Sequence, residues 1–112
     1  MSVSPICEKY SLLFDKLEPS SFKFKNGTSG RTHLGLSAQG FKEAMDKLEI
    51  NSQDCAIYCS WEEDGVETCG LRYEELVPLN IYEIQKLKKR ESELENKVAL
   101  LEQEIKEIKG EV

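Results

Sequence analysis

A heptad repeat of apolar residues occupies the last quarter of the sequence. When position a of the repeat is assigned to Ile84, position d falls on Leu87, and the pattern continues to the final residue. The nine a and d positions, of which eight are apolar, are Ile84, Leu87, Glu91, Leu94, Val98, Leu101, Ile105, Ile108 and Val112. This spacing predicts a long α-helix whose apolar seam packs against other helices in a coiled coil.

The predicted helix is too long to be covered by the rest of the chain. A helix of residues 84–112 would extend about 43 Å at 1.5 Å per residue. The remaining residues of this 112-residue chain suffice for one small domain, which cannot cover an apolar stripe of that length. Because an exposed stripe is unfavourable in water, we expect the helix to pair with copies of itself.

The charged residues beside the seam indicate the orientation of the paired helices. In a parallel coiled coil, each g residue meets the e residue five positions later in the neighbouring chain. All four such pairs join opposite charges: Glu83 with Lys88, Arg90 with Glu95, Lys97 with Glu102, and Glu104 with Lys109. An antiparallel arrangement gains no such uniform matching, so we predict a parallel homo-oligomer.

The seam residues alone leave the number of chains open. β-Branched residues at both a and d, as at Ile105 and Ile108, favour three or four chains. Val98 at a, between leucines at d, favours two. Residues 97–102 resemble a trimer signature in which a cation at g reaches across the seam toward a glutamate at e.

Glu91 is the polar exception within the seam. Two interpretations are open. The carboxylate is either a tolerated, partly solvated layer or a residue that fixes the register of the helices at a cost in stability.

The residues before the repeat predict a small α+β head of residues 1–79, followed by the coiled coil of residues 80–112. Helical periodicity covers residues 8–17 and 39–48, and residues 72–77 read as one or two helical turns. Residues 20–25 alternate as a half-buried strand and pair with residues 31–38 across the Asn26-Gly27 turn. Residues 55–61 and 66–71 form a second hairpin. Pro78 either kinks a helix or lies in its first turn.

Composition argues against several functional classes. A net charge of −6 disfavours nucleic acid and anionic membranes as partners, and no apolar run is long enough for a membrane span. The cations of residues 86–90 lie within the heptads rather than before them, unlike the basic region of a DNA-binding zipper.

The four cysteines form no C-x-x-C pair, and His33 is the only histidine, so we expect core thiols, no metal and no cofactor. Cys55 and Cys59 would share one face of a strand.

Four segments in order resemble a known family across nearly the whole chain. They are LEPSSFKF at residues 17–24, RTHLGLSAQ at 31–39, GLRYEELVPL at 70–79 and IQKL at 84–87. This order is similar to that of the C-terminal intramolecular chaperone domain of phage endosialidases, tail spikes, tail fibres and neck appendages. That family's pattern is a leucine–proline pair before an aromatic strand, then histidine–glycine and alanine–glutamine before a helix, then a tyrosine-led turn into a coiled coil.

The resemblance implies a homotrimer and a role in assembly. In that family, three heads and their coiled coil align three copies of the upstream fibre segment of the same polypeptide, which folds into an intertwined β-structure. The chaperone is then released by autoproteolysis. The resemblance places this event in the cytoplasm of the bacterial host and the parent protein in the tail or neck of the virion.

The residues for self-cleavage are expected upstream of this chain. The family cleaves with a serine and a lysine in a Ser-Asp-x-x-x-Lys motif, and no Ser-Asp occurs here. Ser4 and Lys9 have the right separation, but Pro5 follows the serine, and Pro5-Ile6 matches the segment after the family's motif. We therefore expect no activity from this chain alone. His33 matches the family's histidine, which implies either support of the missing pair or a structural role.

Two other functions share these features. A self-cleaving, membrane-tethered transcription factor of the myelin regulatory factor type resembles the same family, and basic DNA-binding sequence upstream would indicate it. A generic coiled-coil adaptor would be indicated by a dimeric or antiparallel coil.

Overall fold

The computed structural model describes residues 1–27 and 29–110 of the chain. The described residues divide into two compact units, one within residues 1–79 and the other from residue 80 to residue 110. The fold is α+β, with short helices, two small antiparallel hairpins and a long C-terminal helix. In chain order the elements are α1 (Glu8–Asp15), β1 (Ser20–Phe22), β2 (His33–Gly35), α2 (Ala38–Lys47), a 3₁₀ turn (Ser52–Asp54), β3 (Tyr58–Glu63), β4 (Val66–Leu71), a second 3₁₀ turn (Tyr73–Glu75) and α3 (Leu76–Gly110).

The first hairpin is shorter and more exposed than its alternating sequence predicts. β1 and β2 pair antiparallel, with Ser20 opposite Gly35 and Phe22 opposite His33. All three residues of β1 are exposed, so the prediction of a half-buried strand is wrong. The aromatic rings pack on each other instead of on the core: the Phe22 and Phe24 ring centres lie 5.4 Å apart, and those of Phe24 and His33 lie 4.9 Å apart.

The second hairpin is closed by a two-residue turn. β3 and β4 pair from Tyr58 opposite Leu71 to Glu63 opposite Val66. Asp64 and Gly65 connect them with φ of 52° and 78°, the left-handed conformation that two-residue hairpin turns require at both positions. The turn lies within the predicted residues, but β3 begins three residues later than predicted.

Because β3 begins at Tyr58, the cysteines do not all lie where the sequence predicted. Cys55 precedes β3, so the expectation that it shares a strand face with Cys59 is wrong. Cys55 is buried in the core, and Cys69 packs against the core. Cys7 is exposed and is not a core thiol. The Cys59 thiol donates to the Gly70 carbonyl oxygen at 3.4 Å.

The two short helices contribute the largest side chains of the core of the first unit. Leu13 of α1 and Phe41 and Met45 of α2 are its largest fully buried side chains. Helix α2 is capped by Ser37, whose hydroxyl accepts a hydrogen bond from the Gly40 amide at 3.1 Å. The other buried core residues are Ala44, Ile50, Cys55, Ile57, Tyr58, Leu76 and Leu79.

Helix α3 begins at Leu76, before the heptad segment, and continues to Gly110. Pro78 therefore lies in its first turn, where a missing N–H breaks no helical hydrogen bond. Its 35 residues correspond to about 52 Å at 1.5 Å per residue. Among the described residues, no helix is both long enough and apolar enough to cross a membrane.

Candidate oligomerisation surface

The heptad positions of helix α3 form a continuous exposed stripe, which we call the seam. Its apolar members are Ile84, Leu87, Leu94, Val98, Leu101, Ile105 and Ile108, and their exposed fractions run from 51% at Leu94 to 70% at Ile108. Glu91 is also exposed, and Val112 lies outside the described residues. In a single chain, every described seam residue is therefore accessible to a partner.

In the predicted assembly, burial of the seam would provide most of the free energy of association. Fully burying a leucine-sized side chain contributes roughly 1.5–3 kcal/mol, so removing the exposed half from water contributes about 1 kcal/mol. Seven such side chains offer on the order of 7 kcal/mol per chain. An exposed ion pair beside the seam contributes only about 0.3–0.5 kcal/mol. In the predicted assembly, the apolar residues would therefore contribute most of the association free energy, and the charges would act mainly on the orientation of the helices.

The predicted ion pairs cannot form within one chain. Their members stand five residues apart along the helix, whereas side chains meet on a helix surface at separations of three or four. Seven of the eight flanking charges are exposed: Lys88, Arg90, Glu95, Lys97, Glu102, Glu104 and Lys109. Glu83 differs, because it is only 8% exposed and its Oε1 atom has no hydrogen-bond partner among the described residues.

The helix extends the heptad register upstream of Ile84, within the predicted coiled coil of residues 80–112. Because α3 is already helical before Ile84, the heptad register places Asn80 at position d and Ile81 at position e. Ile81 is exposed, as are the seam residues that follow it. Pro78 was the available signal, since a proline in the first turn implies that the helix runs through Asn80.

In the head, residues 22, 33, 35 and 73 lie close together. The Leu36 amide donates to the Tyr73 hydroxyl at 3.1 Å. A Cβ atom at Gly35 would lie 2.9 Å from that hydroxyl and 3.2 Å from Cε1 of Phe22, so only glycine allows this approach without displacement. The His33 ring stacks on that of Phe22 with centres 5.4 Å apart. His33 thus belongs to the packing of the first hairpin, and Tyr73 anchors the connection after β2.

The residues considered for catalysis are exposed, and those considered for metal binding are not grouped. Ser4 is exposed before α1, and Lys9 is exposed on that helix. Within residues 1–27 and 29–110, no three His, Cys, Asp or Glu side chains are grouped so that they could hold a metal ion.

No family model, no curated protein and no solved structure matches this chain. The exposed seam of α3 and the residue pattern of the head are therefore the two features from which a function can be inferred.

Proposed function

We propose that this chain is a trimerising intramolecular chaperone domain. Three copies join through a parallel coiled coil of helix α3 and align three copies of a β-structured fibre or appendage segment that precedes them in the same polypeptide. The observation that carries the proposal is the seam: seven apolar side chains, each more than half exposed, follow one heptad register along a continuous helix.

Charge and side-chain shape support a parallel trimer. Each g residue from Glu83 to Glu104 is followed five positions later by an e residue of opposite charge. This matching favours identical helices that run in the same direction and in register. Ile105 at a and Ile108 at d favour more than two chains, and the resemblance of residues 17–87 to phage chaperone domains supports three.

The proposed mechanism is effective concentration. Intertwined β-structures fold slowly because their contacts join distant residues, whereas helices form and pair through local contacts. Once three α3 helices associate, the attached segments are held together at roughly millimolar effective concentration. Their association then becomes an intramolecular search with one fixed register.

Release of the domain would follow by autoproteolysis at a serine–lysine pair upstream of Met1. This chain would supply the assembled trimer and not the cleaving residues. The proposed setting is a phage tail or neck protein that is assembled in the cytoplasm of the bacterial host.

A fusion experiment tests this function. The chain is placed after a trimeric β-structured fibre segment that lacks its own assembly domain, and the yield of soluble, detergent-resistant trimer is measured. We expect trimer from the full chain, and insoluble or monomeric fibre when the residues after Ile81 are removed. Equal yields from the two fusions would contradict the proposal.

A third fusion separates the proposed function from a generic adaptor. It replaces the whole chain with an unrelated parallel trimeric coiled coil of the same length. If the head contributes to chaperoning, this fusion yields less correctly folded fibre than the full chain. An equal yield would reduce the domain to a simple trimerising adaptor.

A further inference from the structure

The first hairpin carries only positive charge, although the chain as a whole is acidic. No Asp or Glu occurs from residue 19 to residue 42. Residues 20–35, which we call the basic hairpin, contain three exposed cations: Lys23, Lys25 and Arg31. The aromatic rings beside these cations are also accessible, since Phe22 is 44% exposed and Phe24 is 64% exposed. The basic hairpin therefore presents exposed aromatic side chains next to positive charge.

The second hairpin carries only negative charge. Residues 58–71, which we call the acidic hairpin, contain no Lys or Arg and have four exposed carboxylates: Glu62, Glu63, Asp64 and Glu67. Glu62 stands directly opposite Glu67 in the strand register, and like charges at opposed positions repel each other. Lys42 of α2 is attracted to Glu67 but is itself paired with Asp46, with Nζ 3.1 Å from Oδ2. Among the described residues, no ion pair involves the four carboxylates.

The acidic hairpin also exposes apolar side chains on one face. Because residues opposed in the register share a face, Glu63 lies beside Val66, and Trp61 is on that same face. Trp61 is 46% exposed and Val66 is 64% exposed. The Trp61 ring lies over Gly70, where a Cβ atom would be 3.2 Å from Cη2 of the ring. The two hairpins thus expose similar apolar surfaces beside charges of opposite sign.

We infer that the basic hairpin of one copy docks against the acidic hairpin of a neighbouring copy. The inference rests on the proposed function, because helix α3 must first bring the copies together. The charged and apolar side chains of both hairpins are exposed in the single chain, so the two hairpins of one copy do not cover each other. A nucleic acid could also meet the basic hairpin, but the net charge of −6 would repel it and the acidic hairpin would stay unpaired.

A contact of this kind is compatible with three copies around one axis. It joins two different surfaces, so it repeats from copy to copy and closes when the rotation closes. A parallel coiled coil relates its helices by such a rotation. Each copy would then give its basic hairpin to one neighbour and its acidic hairpin to the other. Because the coiled coil holds the copies at high effective concentration, a modest contact between hairpins is sufficient.

The fluorescence of Trp61 tests the contact directly, because Trp61 is the only tryptophan of the chain. The full chain is compared with Leu101→Glu, in which a carboxylate in the seam should separate the copies. Acrylamide should quench the associated parent at most about half as strongly as the separated variant, since an apolar side chain at the centre of an interface is shielded from solvent. Leu100→Glu, outside the seam, should be quenched like the parent.

Charge reversal tests the pairing of the two hairpins. The two variants are Lys23→Glu with Lys25→Glu, and Glu62→Lys with Glu63→Lys. We expect each to raise the concentration of half-dissociation, measured by analytical ultracentrifugation, on the order of 10-fold, and the fourfold exchange to recover most of the loss. A general effect of net charge would instead move the two variants in opposite directions. The control, Lys9→Glu with Lys47→Glu at exposed positions outside both hairpins, should change it less than about 3-fold.

The outcomes separate this inference from the proposed function. Equal quenching of Trp61 in a three-chain parent and in the Leu101 variant, or no recovery in the fourfold exchange, overturns the inference and leaves the function standing. Protection of Trp61 only when a fibre segment is fused upstream would show that this segment, and not a second copy, contacts the acidic hairpin, which also overturns it. A parent that is a single chain overturns both.

Discussion

The two units of this molecule use the same apolar residue types in opposite ways. Leu13 in the head is completely buried, whereas Leu101 in the helix is 57% exposed. The head satisfies its apolar side chains within its own chain, around Phe41 and Met45 of α2. Helix α3 beyond Leu79 buries no apolar residue among those described; the one residue it buries is Glu83. The head therefore has a core of its own, whereas the helix leaves its apolar seam exposed in the single chain, as the proposed assembly requires.

The largest predicted effect concerns the helix and breaks the assembly. Leu101→Glu places a carboxylate in the seam, and burying it costs about 3 kcal/mol or more per chain. We expect dissociation to single chains at micromolar concentration, measured by light scattering. Leu100→Glu is the matched control, because Leu100 is 65% exposed but lies at position c, outside the seam. If the Leu100 variant dissociates as readily as the Leu101 variant, the assigned seam is wrong.

The next effect concerns the head and leaves the assembly intact. Phe41→Ala removes a fully buried ring and should lower the free energy of unfolding of the head by about 3–5 kcal/mol. Leu34→Ala, at a residue that is 83% exposed, should change it by less than about 0.5 kcal/mol. Denaturant unfolding followed by near-ultraviolet circular dichroism provides the measurement. Loss of the oligomer in the Phe41 variant at low denaturant would show that the two units are not separable in this way.

A smaller effect tests the close contact within the head. Gly35→Ala places a methyl group 2.9 Å from the Tyr73 hydroxyl and should destabilise the head by about 2 kcal/mol. Gly40→Ala is the control, since a Cβ there meets only ordinary contacts at 3.5 Å and the position is helical. The control should be neutral or stabilising by up to about 1 kcal/mol. The two thermal midpoints, measured side by side, should therefore move in different directions or differ clearly in size.

The smallest predicted effect is a stabilisation of the assembly, and it distinguishes the two interpretations of Glu91. Glu91→Ile completes the apolar seam and should stabilise the assembly by about 1 kcal/mol per chain. If Glu91 fixes the register, the variant should also form other oligomer sizes, visible by ultracentrifugation. Glu93→Ile, at position c, should not stabilise the assembly. A Glu91 variant no more stable than the parent would contradict both the position assigned to Glu91 and its proposed role.

Local sequence patterns predicted the helices and strands better than they predicted which of their faces are buried. The helix from Glu8, the helix around Phe41 and both hairpins follow from periodicity and turn residues, because spacing and turn dipeptides act within a few residues. Alternation in residues 20–25 correctly indicated a strand but not burial, since Phe22 and Phe24 pack on each other and on His33. Which surface covers a strand depends on the tertiary fold, and the alternating pattern does not contain that information.

The candidate site was predictable to a similar degree. The positions of the seam residues follow from the heptad, and those that the structure describes, from Ile84 to Ile108, lie exposed on one helix, while their role in assembly stays a prediction. The start of the helix at Leu76 was not fixed by the sequence, because it depended on which of two roles Pro78 adopts. The burial of Glu83 had no sequence signal, because its heptad position is equivalent to that of the exposed Glu104.

Counting the chains in the purified protein tests the central claim most directly. Light scattering coupled to size-exclusion chromatography, at micromolar concentration, gives the mass of the assembly independently of its shape. Three chains, with helices that labelling at their ends shows to be parallel, is the result predicted here. A single chain, or helices that run in opposite directions, would contradict it.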